Sequence, residues 1–173
     1  LINNIYFLKN STFQNKVIDS SSTLYPLGLF SDTRNVAKKR KIIQIQFSLP
    51  FKNSIYIEDL IELLIYKQTP LLCSVKRLGY DNSFNNLSFY QDGWTFAVDF
   101  SLETFSFKSI NKFISKLNEF EGKIYLAKDS LLNENQFRNM YKSFDKFQKI
   151  LKEIDPDNIY QSELSKRLGL KNW

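Results

Sequence analysis

Over residues 41–48 apolar and polar side chains alternate, with Ile43, Ile45 and Phe47 set against Gln44, Gln46 and Ser48. Successive side chains of a strand leave on opposite faces, so this period describes a half-buried strand with one face in a core and the other toward solvent or a pocket. Both glutamines then share the second face. Such a strand needs a covering layer on one side only, and the next segments supply it. Ile57, Leu60, Ile61, Leu64 and Ile65 recur at helical spacing, and Thr69-Pro70 ends that helix and starts an extended segment. A strand is predicted over 71–77. A turn-rich stretch with Gly79, Asp81, Asn82, Asn85 and Asn86 links it to a strand at 93–100. Ile110, Phe113, Ile114 and Leu117 mark a helix over 106–120, with Ser106 or Ser109 as N-cap and Gly122 as its stop. A strand over 123–126 follows.

The order strand-helix-strand-strand-helix-strand is the ferredoxin-like double split unit, an α+β fold with an antiparallel sheet and helices on one face. Beyond Lys128 the pattern is helical, with Phe137, Met140, Tyr141 and Phe144, then Phe147, Ile150, Leu151 and Ile154, and finally Leu164 and Leu168. Asp155-Pro156-Asp157 interrupts it. The 43% hydrophobic and 16% aromatic content is enough for one domain with a sizeable core.

Several chemistries are excluded by what the chain lacks. Cys73 is the single cysteine and there is no histidine, which rules out an internal disulfide, a multi-cysteine metal site and the usual histidine-based triads. No metal site is expected. The net charge of +6 invites a reading as a binder of nucleic acid or of an anionic membrane surface. Only Lys38-Lys39-Arg40-Lys41 forms a block, and the remaining cations alternate with acids as on a solvated face, so nucleic acid is not an expected partner. An anionic membrane or a lipid phosphate fits better, because that block adjoins the strand with Gln44 and Gln46. With no apolar run long enough for a bilayer and no signal-peptide pattern, the expected location is cytoplasmic, with membrane association through the basic block.

A series of motifs gives the chain a likeness. Gln44-Ile45-Gln46-Phe47 precedes Pro50, and Val75-Lys76-Arg77-Leu78-Gly79 follows. Leu87-Ser88-Phe89 runs into Gly93-Trp94-Thr95-Phe96-Ala97-Val98-Asp99-Phe100, and Gly122-Lys-Ile-Tyr-Leu-Ala-Lys-Asp-Ser130 comes next. Met140-Tyr141, Ile154-Asp155-Pro156-Asp157 and Gln161-Ser-Glu-Leu-Ser-Lys-Arg-Leu168 complete the order. From Leu24-Tyr25-Pro26-Leu27 onward this resembles the C-terminal part of FAD-linked oxidases of the vanillyl-alcohol oxidase type. The likeness is greatest to decaprenylphosphoryl-ribose 2-oxidases and extends to sugar-lactone oxidases, while residues 1–23 fit only loosely.

The resemblance implies FAD as cofactor and a sugar or polyol as substrate, including a lipid- or nucleotide-linked pentose. It implies that residues 1–123 form part of a substrate-binding cap domain and that 124–173 complete an FAD-binding domain. The N-terminal part of that domain, with its glycine-rich pyrophosphate loops, has no counterpart here, so the expectation is a fragment whose last stretch carries an exposed apolar face and which is inactive alone. Site roles follow residue by residue. Gln44 and Gln46 face flavin and substrate, Gln46 the nearer to the cofactor. Lys76 sits in the substrate pocket, where its ammonium holds a phosphate or hydroxyl. Thr95 lines the pocket where relatives often have Asn, and Ala97 stands where some have a cysteine beside the flavin. Trp94 is read as core with its indole N–H bonded internally, and Cys73 as a small buried hydrophobe.

Tyr125 and Lys128 are the expected catalytic pair, Lys128 also touching the cofactor. Without the resemblance they read as the end of a strand and a lysine before a capped helix. Two other classes stand beside the oxidase: a ferredoxin-like binding module without chemistry, and a basic protein recruited to an anionic surface by residues 38–41.

Overall fold

A computed structural model describes residues 41–79 and 86–171. The expectations placed on residues 1–40 and on Asp81, Asn82 and Asn85 lie outside them. In chain order the described elements are β1 (Ile42–Pro50), α1 (Ile57–Ile65), β2 (Pro70–Leu78), β3 (Gly93–Ser101), α2 (Phe107–Glu119), β4 (Lys123–Ile124), α3 (Glu134–Met140), α4 (Phe144–Ile154) and α5 (Glu163–Arg167). Short 3-10 turns occupy 51–56, 102–104 and 126–128. The four strands form one sheet in the order β2-β3-β1-β4, and every neighbouring pair is antiparallel. With β3 between them, β1 and β2 run in the same direction, as in the double split unit that the element order predicts. One element is shorter than expected. The strand expected at 123–126 is paired at Lys123 and Ile124, and after one more backbone bond from Tyr125 the chain tightens into the turn Leu126–Lys128.

The alternation in β1 governs the layering. Ile45, Phe47 and Leu49, together with Phe96, Val98 and Phe100 of β3, are buried against Leu60 and Leu64 of α1 and Ile110, Phe113, Ile114 and Leu117 of α2. Phe47 stacks on Phe96 at 4.9 Å between ring centroids and meets Phe113 edge-on at 5.0 Å. Each such buried side chain contributes about 1.5–3 kcal/mol through burial. The opposite face of the same two strands presents Gln44, Gln46 and Ser48 beside Thr95, Ala97 and Asp99.

Helix ends fix where α2 meets the sheet. Ser106 is its N-cap, its hydroxyl accepting the Ser109 N–H, a contact worth roughly 1 kcal/mol. At the other end Glu121 takes a left-handed backbone with φ 57°, and the Gly122 N–H donates to the Leu117 carbonyl. Gly122 stops the helix by closeness instead of by its own torsion angle. A Cβ there would lie 2.1 Å from Leu117 Cδ1 and 2.8 Å from the Ser48 carbonyl oxygen. That tight corner delivers β4 to the edge of β1.

After β4 the chain packs back on the same core through Leu132, Phe137, Met140, Tyr141, Phe144 and Leu168. On α4 and the segment after it, however, Ile154, Ile159 and Tyr160 are 73–78% exposed. Two expectations about single residues need correction. Cys73 is exposed, not buried, because β2 is the sheet edge and α1 and α2 cover β1 and β3. Trp94 packs against the core and meets Phe51 edge-on at 5.4 Å, but it is half-buried and its indole N–H has no partner among the described residues. Among the described residues no helix is long and apolar enough to cross a membrane.

Candidate functional site

Cross-strand register builds the site on the uncovered face of the sheet. Directly opposite residues in an antiparallel pair share a face. One row across β2, β3 and β1 is therefore Leu72, Asp99 and Gln44, the next is Ser74, Ala97 and Gln46, and the third is Lys76, Thr95 and Ser48. Lys123 of β4 extends the third row. Ala97 lies at the centre of this grid, so side chains that are polar except for Leu72 surround a position carrying only a methyl group. The register thus brings Gln44, Gln46, Lys76 and Thr95 together on one surface.

Hydrogen bonds hold the central strands' side chains. The Gln44 amide nitrogen donates to the Asp99 carboxylate. Gln46 Nε2 donates to Thr95 Oγ1 at 3.3 Å, and the buried Thr95 hydroxyl donates to the Phe47 carbonyl at 3.0 Å. One end of the face is closed by the segment leading into β3. There Ser48 Oγ donates to the Phe89 carbonyl at 3.3 Å and Lys123 Nζ to the Ser88 carbonyl at 2.8 Å. Tyr90 carries this wall toward β2, its hydroxyl accepting the Gly79 N–H at 2.9 Å. The open part of the face is bounded by Gln44, Gln46, Ser74 and Lys76.

Tyr125 and Lys128 enter from the β1 side. The Tyr125 N–H donates to the Gln46 carbonyl at 2.8 Å, which continues the β1–β4 pairing by one residue, and the Tyr125 ring packs on Phe89 at 4.8 Å. The Lys128 N–H donates to the Tyr125 carbonyl at 3.1 Å. The Lys128 side chain is exposed and lines a narrow groove with Gln44, Ile45 and Ile110. Lys128 is therefore at the margin of the sheet, one turn beyond Tyr125, and not on the strand itself.

The turn that carries Lys128 is anchored from behind. Asp129 Oδ1 accepts the N–H groups of Leu131 and Leu132 at 2.8 and 3.0 Å. Arg167 of α5 lies 2.9 Å from the same carboxylate and donates to the carbonyls of Asp129 and Leu132. Tyr141 ties α3 to β4, its hydroxyl donating to the Ile124 carbonyl at 2.7 Å. Burial, and next the charge of Asp129, pushes the Tyr141 phenol well above its ordinary range, so it remains a donor. On the edge strand, partial desolvation and then the negative charge of Asp99 push the Cys73 thiol up, which disfavours thiolate chemistry there.

Sequence reasoning left out three participants: Asp99, Ser74 and Phe89. Asp99 was findable, since Thr95, Ala97 and Asp99 alternate with Phe96, Val98 and Phe100 as the residues of β1 do. Ser74 and Phe89 depend on register and on the path of a loop, which no local pattern encodes.

Residues 96–168 match the family described as D-arabinono-1,4-lactone oxidase. The chain is also similar to the decaprenylphosphoryl-beta-D-ribose oxidase of Mycolicibacterium smegmatis, with 27% identity over 173 residues. That match takes in 98% of this chain and 37% of the length of the mycobacterial protein. Both likenesses are to oxidases, one described by a sugar lactone and the other by a lipid-linked ribose.

Proposed function

We propose that this chain is the substrate-facing part of an FAD-dependent oxidoreductase that oxidises a hydroxyl of a sugar or polyol, such as a lipid- or nucleotide-linked pentose. The single observation that carries the reading is the sheet face on which Gln44, Gln46, Lys76 and Thr95 surround Ala97, with Tyr125 and Lys128 at its margin. Small-molecule sites place a few converging polar groups beside apolar surface, and this face has that character. In the same reading residues 1–123 belong to the substrate-binding cap and 124–173 complete the cofactor domain.

The donor set suits a flavin. Lys128 offers an exposed ammonium that can donate to the carbonyl edge of a flat heterocycle, and Gln46 an amide oxygen that can accept its ring N–H. When bound, FAD would supply the two-electron acceptor for the hydride that leaves the carbinol carbon, while the hydroxyl proton passes to solvent on the open face. The chain's own residues do the rest. Lys128 orients the reacting hydroxyl and offsets the negative charge that develops beside it. Tyr125, its ring braced by Phe89, presents a phenol that both donates and accepts toward the substrate. Lys76, across the sheet, grips a distal hydroxyl or phosphate, and Thr95 fills the corner beneath it.

The test is anaerobic mixing of the intact, flavin-loaded protein of which this chain is the proposed part with a panel of pentoses, sugar lactones and polyols, following the flavin absorbance. Bleaching by at least one of them is expected. A bound flavin that none of them reduces refutes the reading.

A further inference from the structure

Two amides on β1 are turned the same way, and each is held by a partner that leaves no choice. A carboxylate only accepts, so the Gln44 side chain must offer Asp99 its nitrogen. The Thr95 hydroxyl spends its hydrogen on the Phe47 carbonyl, so it too only accepts, and Gln46 must offer it Nε2. Both nitrogens are thus engaged toward β3. The two carbonyl oxygens have no hydrogen-bond partner among the described residues, and neither is among the buried unpaired polar atoms there. Residues two apart on one face of a strand are about 7 Å apart, within reach of neighbouring hydroxyls on one sugar ring.

We infer that Asp99 is a positioning residue that sets the hydrogen-bonding polarity of the open sheet face: by holding the Gln44 nitrogen it presents Gln44 Oε1, beside Gln46 Oε1, as a pair of acceptors that takes a substrate through two donating hydroxyls. This rests on the sugar-oxidation reading and adds what the substrate must offer on its β1 side. Lys76, a donor without acceptor capacity, faces the other side and takes an ether oxygen, a hydroxyl oxygen or a phosphate. The substrate is then oriented across the sheet, hydroxyl hydrogens toward β1 and acceptor oxygens toward β2. Replacing either donating hydroxyl by fluorine or a methyl ether leaves two acceptors facing each other.

Asp99→Asn keeps the shape and removes the constraint, because an Asn side chain both donates and accepts. In the 15N-labelled full chain the Gln44 side-chain amide should show a hydrogen-bonded proton, shifted downfield and protected from exchange. In Asp99→Asn that signal should move toward the position of a solvent-exposed glutamine, with exchange about tenfold faster. In the intact, flavin-loaded parent protein the variant should raise KM by more than it lowers kcat. Its preference for a hydroxylated sugar over the fluoro or O-methyl analogue should shrink about three- to tenfold, the worth of one hydrogen bond. Thr95→Val is the second variant, and it should release Gln46 in the same two readouts.

An amide signal that is free in the unmodified chain, or identical in Asp99→Asn, overturns the inference whatever the activity. So does an unchanged preference once the amide is released. A protein whose Gln44 amide is held but whose flavin no polyol reduces refutes the oxidation reading, and the substrate role of Asp99 with it.

Discussion

Phe47 and Gln46 are neighbours in β1, and the whole assignment of the site depends on their facing opposite ways. Phe47 is 1% exposed and makes ring contacts with Phe96 and Phe113, so Phe47→Ala removes a full aromatic side chain from beneath two helices. Such truncations cost about 3–5 kcal/mol, against a total of roughly 5–15 kcal/mol for a domain. Gln46 is half-buried and loses one 3.3 Å hydrogen bond on truncation, about 0.5–1.5 kcal/mol. With a urea slope of about 2 kcal/mol per molar, the midpoint should fall by roughly 2 M for Phe47→Ala and by roughly 0.5 M for Gln46→Ala. The assay is equilibrium urea unfolding of the chain followed by far-UV circular dichroism. If Gln46→Ala costs as much as Phe47→Ala, the register is displaced by one residue. The glutamines are then core groups and the polar face does not exist.

The other expectations concern charge and cofactor. In the flavin-loaded protein Lys128→Ala should lose turnover far more than Lys128→Arg loses FAD, whereas Lys76→Ala should act chiefly on KM. In the proposed site Lys76 would hold a remote part of the substrate equally before and during hydride transfer. Single-turnover flavin reduction separates the two, and a normal rate in Lys128→Ala returns that lysine to a structural role. The chain alone should bind FAD weakly, since its 5 glycines are scattered through the sequence and no two lie close enough for a glycine-rich pyrophosphate motif; stoichiometric FAD carried through gel filtration would contradict this. The hydrogen bond from Lys171 holds the Asp155 carboxyl below its ordinary range, with help from the N–H groups of Ile159 and Tyr160 and against the effect of burial. A depressed carboxyl pKa stabilises the fold above the ordinary value of about 3.9 and loses that contribution as pH falls through the lower folded value. Asp155→Asn should therefore lower Tm at neutral pH and flatten its decline in acid; parallel Tm curves for the two proteins would show that Asp155 does not drive acid unfolding.

The sheet and its covering helices were legible because each declared its period locally. Ile45 and Phe47 alternate with Gln44 and Gln46, and Ile110, Phe113, Ile114 and Leu117 recur at helical spacing, so burial alone decides element and face. The site was legible only as far as one strand at a time. That Gln44 and Gln46 share a face follows from sequence, but that Asp99 meets Gln44, or that Lys76 lies opposite Thr95, depends on register, which is fixed between strands about fifty and twenty residues apart in the chain. Cys73 was misread for the same reason. Its place on an edge strand is a property of sheet order, and small size alone could not reveal it.

The division of labour across the face follows from how each strand is held. Strands β1 and β3 are pinned by their buried side, so their short amide, hydroxyl and carboxylate groups keep fixed positions and set hydrogen-bond direction. The edge strand β2 and the turn at 126–128 are held through their backbones and leave their lysines exposed, and both lysines carry a charge that acts over distance on a long stem. Direction is therefore assigned to the half-buried centre and charge to the exposed margin. On this account moving an amide by exchanging Gln46 with Ala97 should damage recognition more than lengthening Lys76 or Lys128 to arginine. A Gln46→Ala/Ala97→Gln protein places the amide directly across the strand pair, but without the Thr95 partner at the same spacing. Substrate titrations of the flavin-loaded variants check this, and equal losses of affinity in all of them would show that the centre of the sheet is no better fixed than its edge.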